Sequence, residues 1–207
     1  FNALTFKFIS ANINFSTTSN KIVNSIDTIS RGVQLTRPEN VNGYYSASTF
    51  VTLGLPFKSV KMKGSSLNFT NNIRYSNDVS LIYKQKNIGK SFSVTQGVGF
   101  NYNKEKLDFA IRANLAYNSI KYSVNTSLNE KYYTQTYAAD FSYTFKGNFI
   151  FSTDFDYYIN TGRAEGYNLN VPLWNASFSK QIFKKKNGEL KLSVTDILNQ
   201  NQSTTRT

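Results

Sequence analysis

Cysteine and histidine are both absent from this 207-residue chain, and each absence removes a class of function. Without cysteine there is no disulfide scaffold and no thiol-based metal or redox chemistry. Without histidine the chain lacks the commonest general base and the commonest transition-metal ligand. We therefore expect no catalytic residues, no cofactor and no enzymatic activity in this chain.

Long hydrophobic runs and acidic residues are also scarce. No stretch of about 18 apolar residues occurs, so the sequence predicts no transmembrane helix. Asp and Glu number 12 against 24 Lys and Arg, which gives a net charge of +12. The lysines cluster in predicted turns, away from the aromatic residues, and we therefore expect no nucleic-acid partner. The sequence begins at Phe1 without an initiating Met or a signal peptide, so we expect it to come from a longer precursor.

Aromatic residues are abundant, and in the stretch from Leu107 to Asn160 they alternate with polar ones. Alternation is the period of a β-strand whose two faces meet different surroundings. The first strand of this stretch has one almost wholly apolar register, which consists of Leu107, Phe109, Ile111, Ala113, Leu115 and Tyr117. Asp108, Arg112, Asn114 and Asn118 lie in its other register.

The pattern continues through three consecutive strands of about 12 to 16 residues each. Strands in soluble proteins mostly have about 5 to 6 residues, whereas a strand that spans a bilayer needs about 9 to 11. We therefore predict that the aromatic face meets lipid and that the polar face meets a water-filled lumen.

The whole chain, 1–207, is predicted to be a single all-β domain with about ten strands. Residues 37–43 are predicted to be a turn or loop on their Pro, Asn and Gly content. Short connections are expected near residues 104, 147 and 187, and longer ones at 77–90, 124–131 and 161–171. Short turns at one rim and long loops at the other are typical of an antiparallel up-and-down transmembrane β-barrel. An open sheet would leave unpaired edges in lipid, so closure is expected either from further strands or from a smaller barrel of these alone.

Four features of the sequence are distinctive: Leu173 to Lys180, Gly188 to Asn201, Thr36 to Gly43, and the placing of Gly162 and of Gly166-Tyr167-Asn168 before the Trp174 strand. They resemble the C-terminal β-barrel region of the TonB-dependent-receptor-like outer-membrane proteins of Bacteroidetes (outer membrane protein beta-barrel family). The resemblance covers most of the chain from about Gly32 onward.

The resemblance implies a partial barrel in the bacterial cell outer membrane, without the family's N-terminal plug and closing strands. It also implies uptake of a bulky nutrient, with outer-membrane lipid, TonB (through an absent N-terminal region) and a surface lipoprotein as partners. Two alternatives stay open. One is a structural or adhesive outer-membrane barrel without active uptake, and the other is a soluble all-β ligand-binding protein.

Three acidic residues, Asp140, Asp154 and Asp156, fall on the predicted lumen face. If the turn is centred on Gly147, Asp140 and Asp154 lie nearly opposite each other, and like charges paired across strands repel. Arg112 or a bound cation such as calcium would compensate, which makes this cluster a candidate metal site. The alternative is a hydrated lumen in which the charges are screened. Glycosidase chemistry by the paired carboxylates is disfavoured, because nothing in their surroundings indicates a raised pKa.

A second candidate feature is a group of aromatic residues near the predicted loop ends. Such residues form girdles at the two membrane interfaces of outer-membrane barrels. The alternative is ordinary packing of aromatic side chains in a β-sheet. The predicted interfacial girdle consists of Trp174, Tyr157, Tyr158, Tyr132 and Tyr133.

Overall fold

The computed structural model describes residues 7–59, 62–163, 167–183 and 187–201. Within them the chain forms eleven β-strands and a short 3-10 turn at Thr126–Leu128, so the predicted all-β class is confirmed. No helix among these residues has the length and apolarity needed to cross a membrane. The strands are β1 (Phe8–Thr18), β2 (Lys21–Ser30), β3 (Val33–Val41), β4 (Tyr44–Pro56), β5 (Ser65–Ile82), β6 (Gln85–Lys104), β7 (Leu107–Tyr122), β8 (Glu130–Thr144), β9 (Phe149–Thr161), β10 (Leu169–Ile182) and β11 (Gly188–Val194).

Nine of the strands form one continuous antiparallel sheet in the order β1-β4-β5-β6-β7-β8-β9-β10-β11. From β4 onward each strand pairs with the next along the chain, which is the predicted up-and-down arrangement. In the described part of the chain the sheet does not close, and β1 and β11 are its two edges. We call these nine strands the wall.

The wall has one apolar and one polar face, as the alternation predicts. Residues paired across strands share a face. Ile111 is paired with Phe100 on one side and with Ala139 on the other, and the same row continues through Phe155 to Trp174, so these residues all lie on the apolar face. In the row of Leu115 the apolar face is interrupted by Asn71, Gln96 and Gln135. The polar face also extends across the paired strands. One of its rows, taken strand by strand from β1 to β7, is Asn14, Ser48, Arg74, Ser93 and Asn118.

The apolar face is open to its surroundings rather than packed into a core. Ile13 on β1 and Leu192 on β11 are 79% and 73% exposed. Buried apolar side chains in the described residues are few, namely Val79, Ala138 and Val171. Because an apolar surface of this extent is unfavourable in water, the face requires lipid or further protein against it.

The connections lie at two rims: the predicted short turns near 104, 147 and 187 are at one, and the connections predicted at 124–131 and 161–171 are at the other. The eight-residue connection 57–64 lies on the side of the short turns, and the predicted loop 77–90 is reduced to a two-residue turn. What we call the turn rim holds the connections 57–64, 105–106, 145–148 and 183–187, of which residues 60–61 and 184–186 lie outside the described part. What we call the loop rim holds the β2–β3 hairpin, the turn 83–84 and the connections 123–129 and 162–168, of which residues 164–166 lie outside the described part.

Two segments predicted to be loops are strands. Residues 77–90 extend the β5–β6 hairpin and reverse at Tyr83 and Lys84, whose φ angles of 48° and 63° suit a two-residue hairpin turn. Residues 37–41 belong to β3, with Pro38 opposite Asn24 on β2. The loop predictions were wrong because Asn77 interrupts the apolar register of β5 before Val79 and Leu81 resume it, and because residues 37–40 have no apolar side chain other than Pro38 to form a register.

The β2–β3 hairpin, which we call the ribbon, is inserted between β1 and β4 at the loop rim. Thr18 pairs with Tyr44 below it and Lys21 pairs with Val41 inside it. Below this point β4 lies beside β5, whereas above it β2 does, through a short parallel pairing that begins with Ser25 and Leu81. The two strands of the ribbon therefore cross at its base: β4 separates β1 from β5 in the wall, whereas β2, which follows β1 along the chain, lies directly beside β5.

The crossing is built on residues that tolerate unusual backbone angles. Asn20 has φ 53° and Gly43 has φ 111°, a region that residues other than glycine, Asn and Asp adopt rarely. The Asn77 side chain donates a hydrogen bond to the Gly43 carbonyl (2.7 Å), and Lys86 Nζ donates one to the Asn42 carbonyl (2.7 Å). The extended β5–β6 hairpin thus holds the ribbon at its base.

Candidate functional site on the polar face

The acidic cluster lies where the sequence places it. Asp140 on β8 and Asp154 on β9 are directly paired, as the turn around Gly147 predicts. Asp156 lies two residues further along β9, opposite Ala138. All three residues are on the polar face of the wall, so two carboxylates face each other across neighbouring strands and a third lies in the next row.

Arg112 supplies the compensating charge. Its Nη2 atom lies 2.5 Å from Asp140 Oδ2, and the two side chains are 48% and 45% exposed. Arg112 is paired with Ala138, so its side chain reaches Asp140 diagonally from the adjacent strand β7. A pair this open to solvent is screened and contributes at most about 1 kcal/mol to stability.

The second carboxylate of the pair is held by an amide. Asn175 Nδ2 donates to Asp154 Oδ2 at 2.6 Å, and Asn175 Oδ1 accepts a bond from the backbone N–H of Asp196 at 2.8 Å. The Asp196 carboxylate in turn accepts bonds from the backbone N–H groups of Gln200 (2.9 Å) and Asn201 (3.1 Å). This chain of bonds links the acidic cluster to the turn that follows β11.

The cluster keeps a formal negative charge, because three carboxylates lie near the single guanidinium of Arg112. Among the residues that the structure describes, no group of three or more His, Cys, Asp or Glu side chains has an arrangement that could hold a metal ion. Asp140, Asp154 and Asp156 are all described and do not form such a group, and the candidate metal site stays a prediction. Of the two compensations that the sequence left open, the structure contains the ion pair with Arg112.

The five residues of the predicted girdle divide between the two faces. Tyr133, Tyr157 and Trp174 lie on the apolar face, because they pair with Tyr117, Tyr137 and Phe155. Tyr132 and Tyr158 are paired with residues of the polar register, Asn118 and Thr136, and so lie on the polar face. The first three residues thus lie on the face that a girdle requires, and the other two lie on the opposite face because successive side chains of a strand point to opposite faces.

Trp174 was expected near a strand end, but it lies near the middle of β10. Its indole Nε1 donates a hydrogen bond to Thr153 Oγ1 on β9 at 2.8 Å. Thr153 Oγ1 donates in turn to the Asn175 carbonyl at 2.8 Å. The polar atom of the indole is therefore paired inside an apolar face, where leaving it unpaired would be costly.

Tyr132 helps to join two connections of the loop rim. The Arg163 guanidinium lies over its ring, 4.2 Å from the centroid, and Arg163 Nε is 3.6 Å from Glu130 Oε1. The Asn168 side chain accepts a hydrogen bond from the backbone N–H of Arg163 at 3.1 Å. Residues from the ends of β8 and β9 thus hold this part of the rim together.

One group of polar-face residues was not predicted to be a site. A hollow of about 380 Å³ lies around Arg74, between β4, β5, β6 and β7. Most of the polar side chains that line it are serines, which form one pair on β4, one pair on β6 and a single position on β5: Ser46 and Ser48, Ser91 and Ser93, and Ser76. Pairs of serine two residues apart, on two strands that flank an arginine, were the available signal, but strand register was needed to bring them together.

Comparison with known proteins supports the membrane assignment. A family model described as "Outer membrane protein beta-barrel family" matches residues 64–207, which include β5 through β11. No curated protein matches the sequence.

Proposed function

Because this chain belongs to the outer membrane protein β-barrel family and lies in the bacterial outer membrane, we propose that it supplies the wall and outer loops of a TonB-dependent-receptor-like transporter. The cargo of such a transporter is a bulky nutrient. The outer-membrane location excludes the soluble ligand-binding alternative, and the open apolar face agrees with lipid as its partner.

The observation that carries this proposal is the width of the wall. Nine strands in a row leave both β1 and β11 with an unpaired edge in the described residues. Unpaired backbone groups are not tolerated in lipid, so both edges must be paired in the membrane, either with each other or with further strands. Barrels with about 16 or more strands enclose an aqueous lumen, and those with about 22 hold a plug inside it. A wall that has not closed after nine strands suits a lumen wide enough for a large molecule.

Strand direction restricts how the barrel closes. Neighbours along the path are antiparallel, so the first strand, β1, and the ninth, β11, run in the same direction. Direct contact between them would be a parallel pair. Fully antiparallel closure therefore requires an odd number of additional strands and gives an even total, which is the rule for bacterial outer-membrane barrels.

The two rims give the wall its orientation. Outer-membrane barrels have short turns on the periplasmic side and longer loops outside, so the loop rim and the ribbon face the cell exterior in this proposal. An epitope inserted in 123–129 is then reachable by antibody on intact cells, and one in 145–148 is not. The reverse labelling would invert the orientation.

The partners in this proposal follow the chemistry of each surface. The polar lumen gives passage to the cargo, the outer rim is the docking place of a surface lipoprotein, and TonB acts through a region N-terminal to this wall. The chain itself carries no catalytic residue in this account. The acidic cluster is a part of the lumen lining in which one of the three carboxylates is paired with Arg112.

The test is a comparison of what cells leave behind in a mixed growth medium. Wild-type cells, cells without this gene and cells without a functional TonB system are grown in parallel, and the spent medium is profiled. We expect at least one large solute to remain in both mutant cultures and to be consumed after complementation with the full-length gene. If the gene deletion spares every solute but abolishes surface attachment, the structural or adhesive alternative is correct.

A further inference from the structure

Arg74 occupies a distinct position on the polar face of the wall. Its lateral neighbours are Ser48 on β4 and Ser93 on β6, both directly paired with it. In the next polar row toward the loop rim, Ser76 on β5 lies between Ser46 and Ser91 in the same way. One guanidinium is thus placed within two rows of hydroxyl groups that come from three strands.

The small side chains around Arg74 leave space for a ligand. The hollow has a volume of about 380 Å³, and Asn118, Ile120 and Tyr132 also line it. A volume of this size holds several water molecules. This is ample room for a carboxylate or phosphate group together with the atoms that carry it.

The acidic side chains nearest to Arg74 along these rows are engaged elsewhere. Asp78, four residues further along β5, is 2.5 Å from Lys21 Nζ. Glu130, which is paired with Ile120, interacts with Arg163. No ion pair of Arg74 occurs among the residues that the structure describes, whereas Arg112 on the same face has Asp140. The guanidinium of Arg74 is therefore a positive charge without a carboxylate partner in this part of the wall.

The chemistry of these groups selects an oxyanion. A guanidinium offers up to five N–H donors in a plane and binds carboxylate or phosphate oxygens in pairs, while serine hydroxyls donate to the remaining oxygens. We propose that Arg74, Ser48 and Ser93 form a subsite for a carboxylate or phosphate group on the molecule that passes through the lumen. The inference rests on the proposed function in that it takes the polar face as the path of the cargo.

The height of the subsite suits an early step in entry. Arg74 lies three residues from Asn77, where the β4–β5 pairing ends and the base of the ribbon begins. At about 3.3 Å per residue the subsite is about 10 Å below the ribbon. An anionic group that enters from the loop rim meets this positive charge before it meets the carboxylates of Asp140, Asp154 and Asp156.

The test is isothermal titration calorimetry on the full-length protein in detergent micelles with 0.15 M NaCl. The probes are inorganic phosphate, citrate and, as a neutral control, glucose. We expect one or both anions to bind and glucose not to bind, and the stronger anion identifies the group that the subsite prefers. Arg74→Gln is expected to weaken binding at least tenfold, and the double variant Ser48→Ala, Ser93→Ala at least threefold. Arg74→Lys keeps the charge but not the paired donors, and should lie between wild type and Arg74→Gln.

Two variants serve as matched controls, and both should bind within twofold of wild type. Arg37→Gln removes a guanidinium from the ribbon, outside the wall, and Ser142→Ala removes a polar-face hydroxyl near the turn rim. Heat-shifted mobility on gels verifies the fold of each variant, and the double serine variant decides the question if Arg74→Gln fails to fold. The proposal is overturned if neither anion binds, or if binding is the same in wild type and in the folded Arg74 variants. Because no transport is measured, a failure of the uptake proposal would not produce either result.

Discussion

A lysine introduced on one face or the other of β7 distinguishes the face that meets lipid from the face that meets the lumen. Leu115 is on the apolar face and 49% exposed, and its neighbour Ala116 is on the polar face between Thr95 and Thr134. Leu115 is eight residues from Leu107 and seven from Tyr122, the two ends of the strand. At about 3.3 Å per residue and a tilt of about 40°, these ends are about 20 and 18 Å away along the membrane normal. Leu115 therefore lies near the middle of an apolar band about 25 Å tall.

We predict that Leu115→Lys lowers the free energy of unfolding by about 2–4 kcal/mol, the cost of a lysine on the lipid face at the bilayer midplane. Ala116→Lys places the same charge in the hydrated lumen and should cost less than about 1 kcal/mol. The assay is urea unfolding of the full-length protein in lipid vesicles, followed by heat-shifted gel mobility. Equal losses in the two variants, or a larger loss at Ala116, would refute the assignment of the faces.

Three further predictions concern the polar face and the strand that carries the tryptophan. Gly97→Ala should lower the free energy of unfolding by about 1–3 kcal/mol, because its new methyl group would collide with a polar side chain on each neighbouring strand. Gly99→Ala should be tolerated, because the nearest atom to its methyl group would be 3.6 Å away. Urea unfolding compares the two variants. Arg112→Gln should cost about 1 kcal/mol, and adding Asp140→Asn should restore the loss by removing the uncompensated carboxylate; failure of the second change to rescue would contradict the ion-pair account. Trp174→Phe should cost about 1 kcal/mol through its lost indole hydrogen bond, and unchanged stability in vesicles would count against that bond.

The wall could be predicted from the sequence because its two faces meet different surroundings. The alternation from Leu107 to Asn160 gives the strands, and the turn at Gly147 gives the register that pairs Asp140 with Asp154. The same reasoning could not find the ribbon or the extension of β5 and β6. Those strands have no continuous apolar register, so their pairing depends on backbone hydrogen bonds and on polar contacts such as Asn77 with Gly43.

The candidate site was predictable in part for a related reason. A cluster on adjacent strands of one hairpin, such as Asp140 and Asp154, follows from a single turn. To predict the hollow around Arg74, the register of three successive strand pairs from β4 to β7 must be known. An error in the length of any one turn shifts the paired residues by whole rows and separates the residues that line the hollow. The girdle was overestimated because aromatic content near a loop does not specify a face, and Tyr132 and Tyr133 necessarily point in opposite directions.

The most direct test of the central claim is a cysteine scan of the β7 segment from Ile111 to Asn118 in the full-length protein. This chain contains no cysteine, so each introduced thiol is the only one in the wall segment. A charged, water-soluble thiol reagent is added to the protein in lipid vesicles, and labelling is quantified by mass spectrometry. Our account predicts labelling at the even-numbered positions, which line the lumen, and protection at the odd-numbered positions, which face lipid. Labelling without this two-residue period, or protection of the even positions, would contradict it.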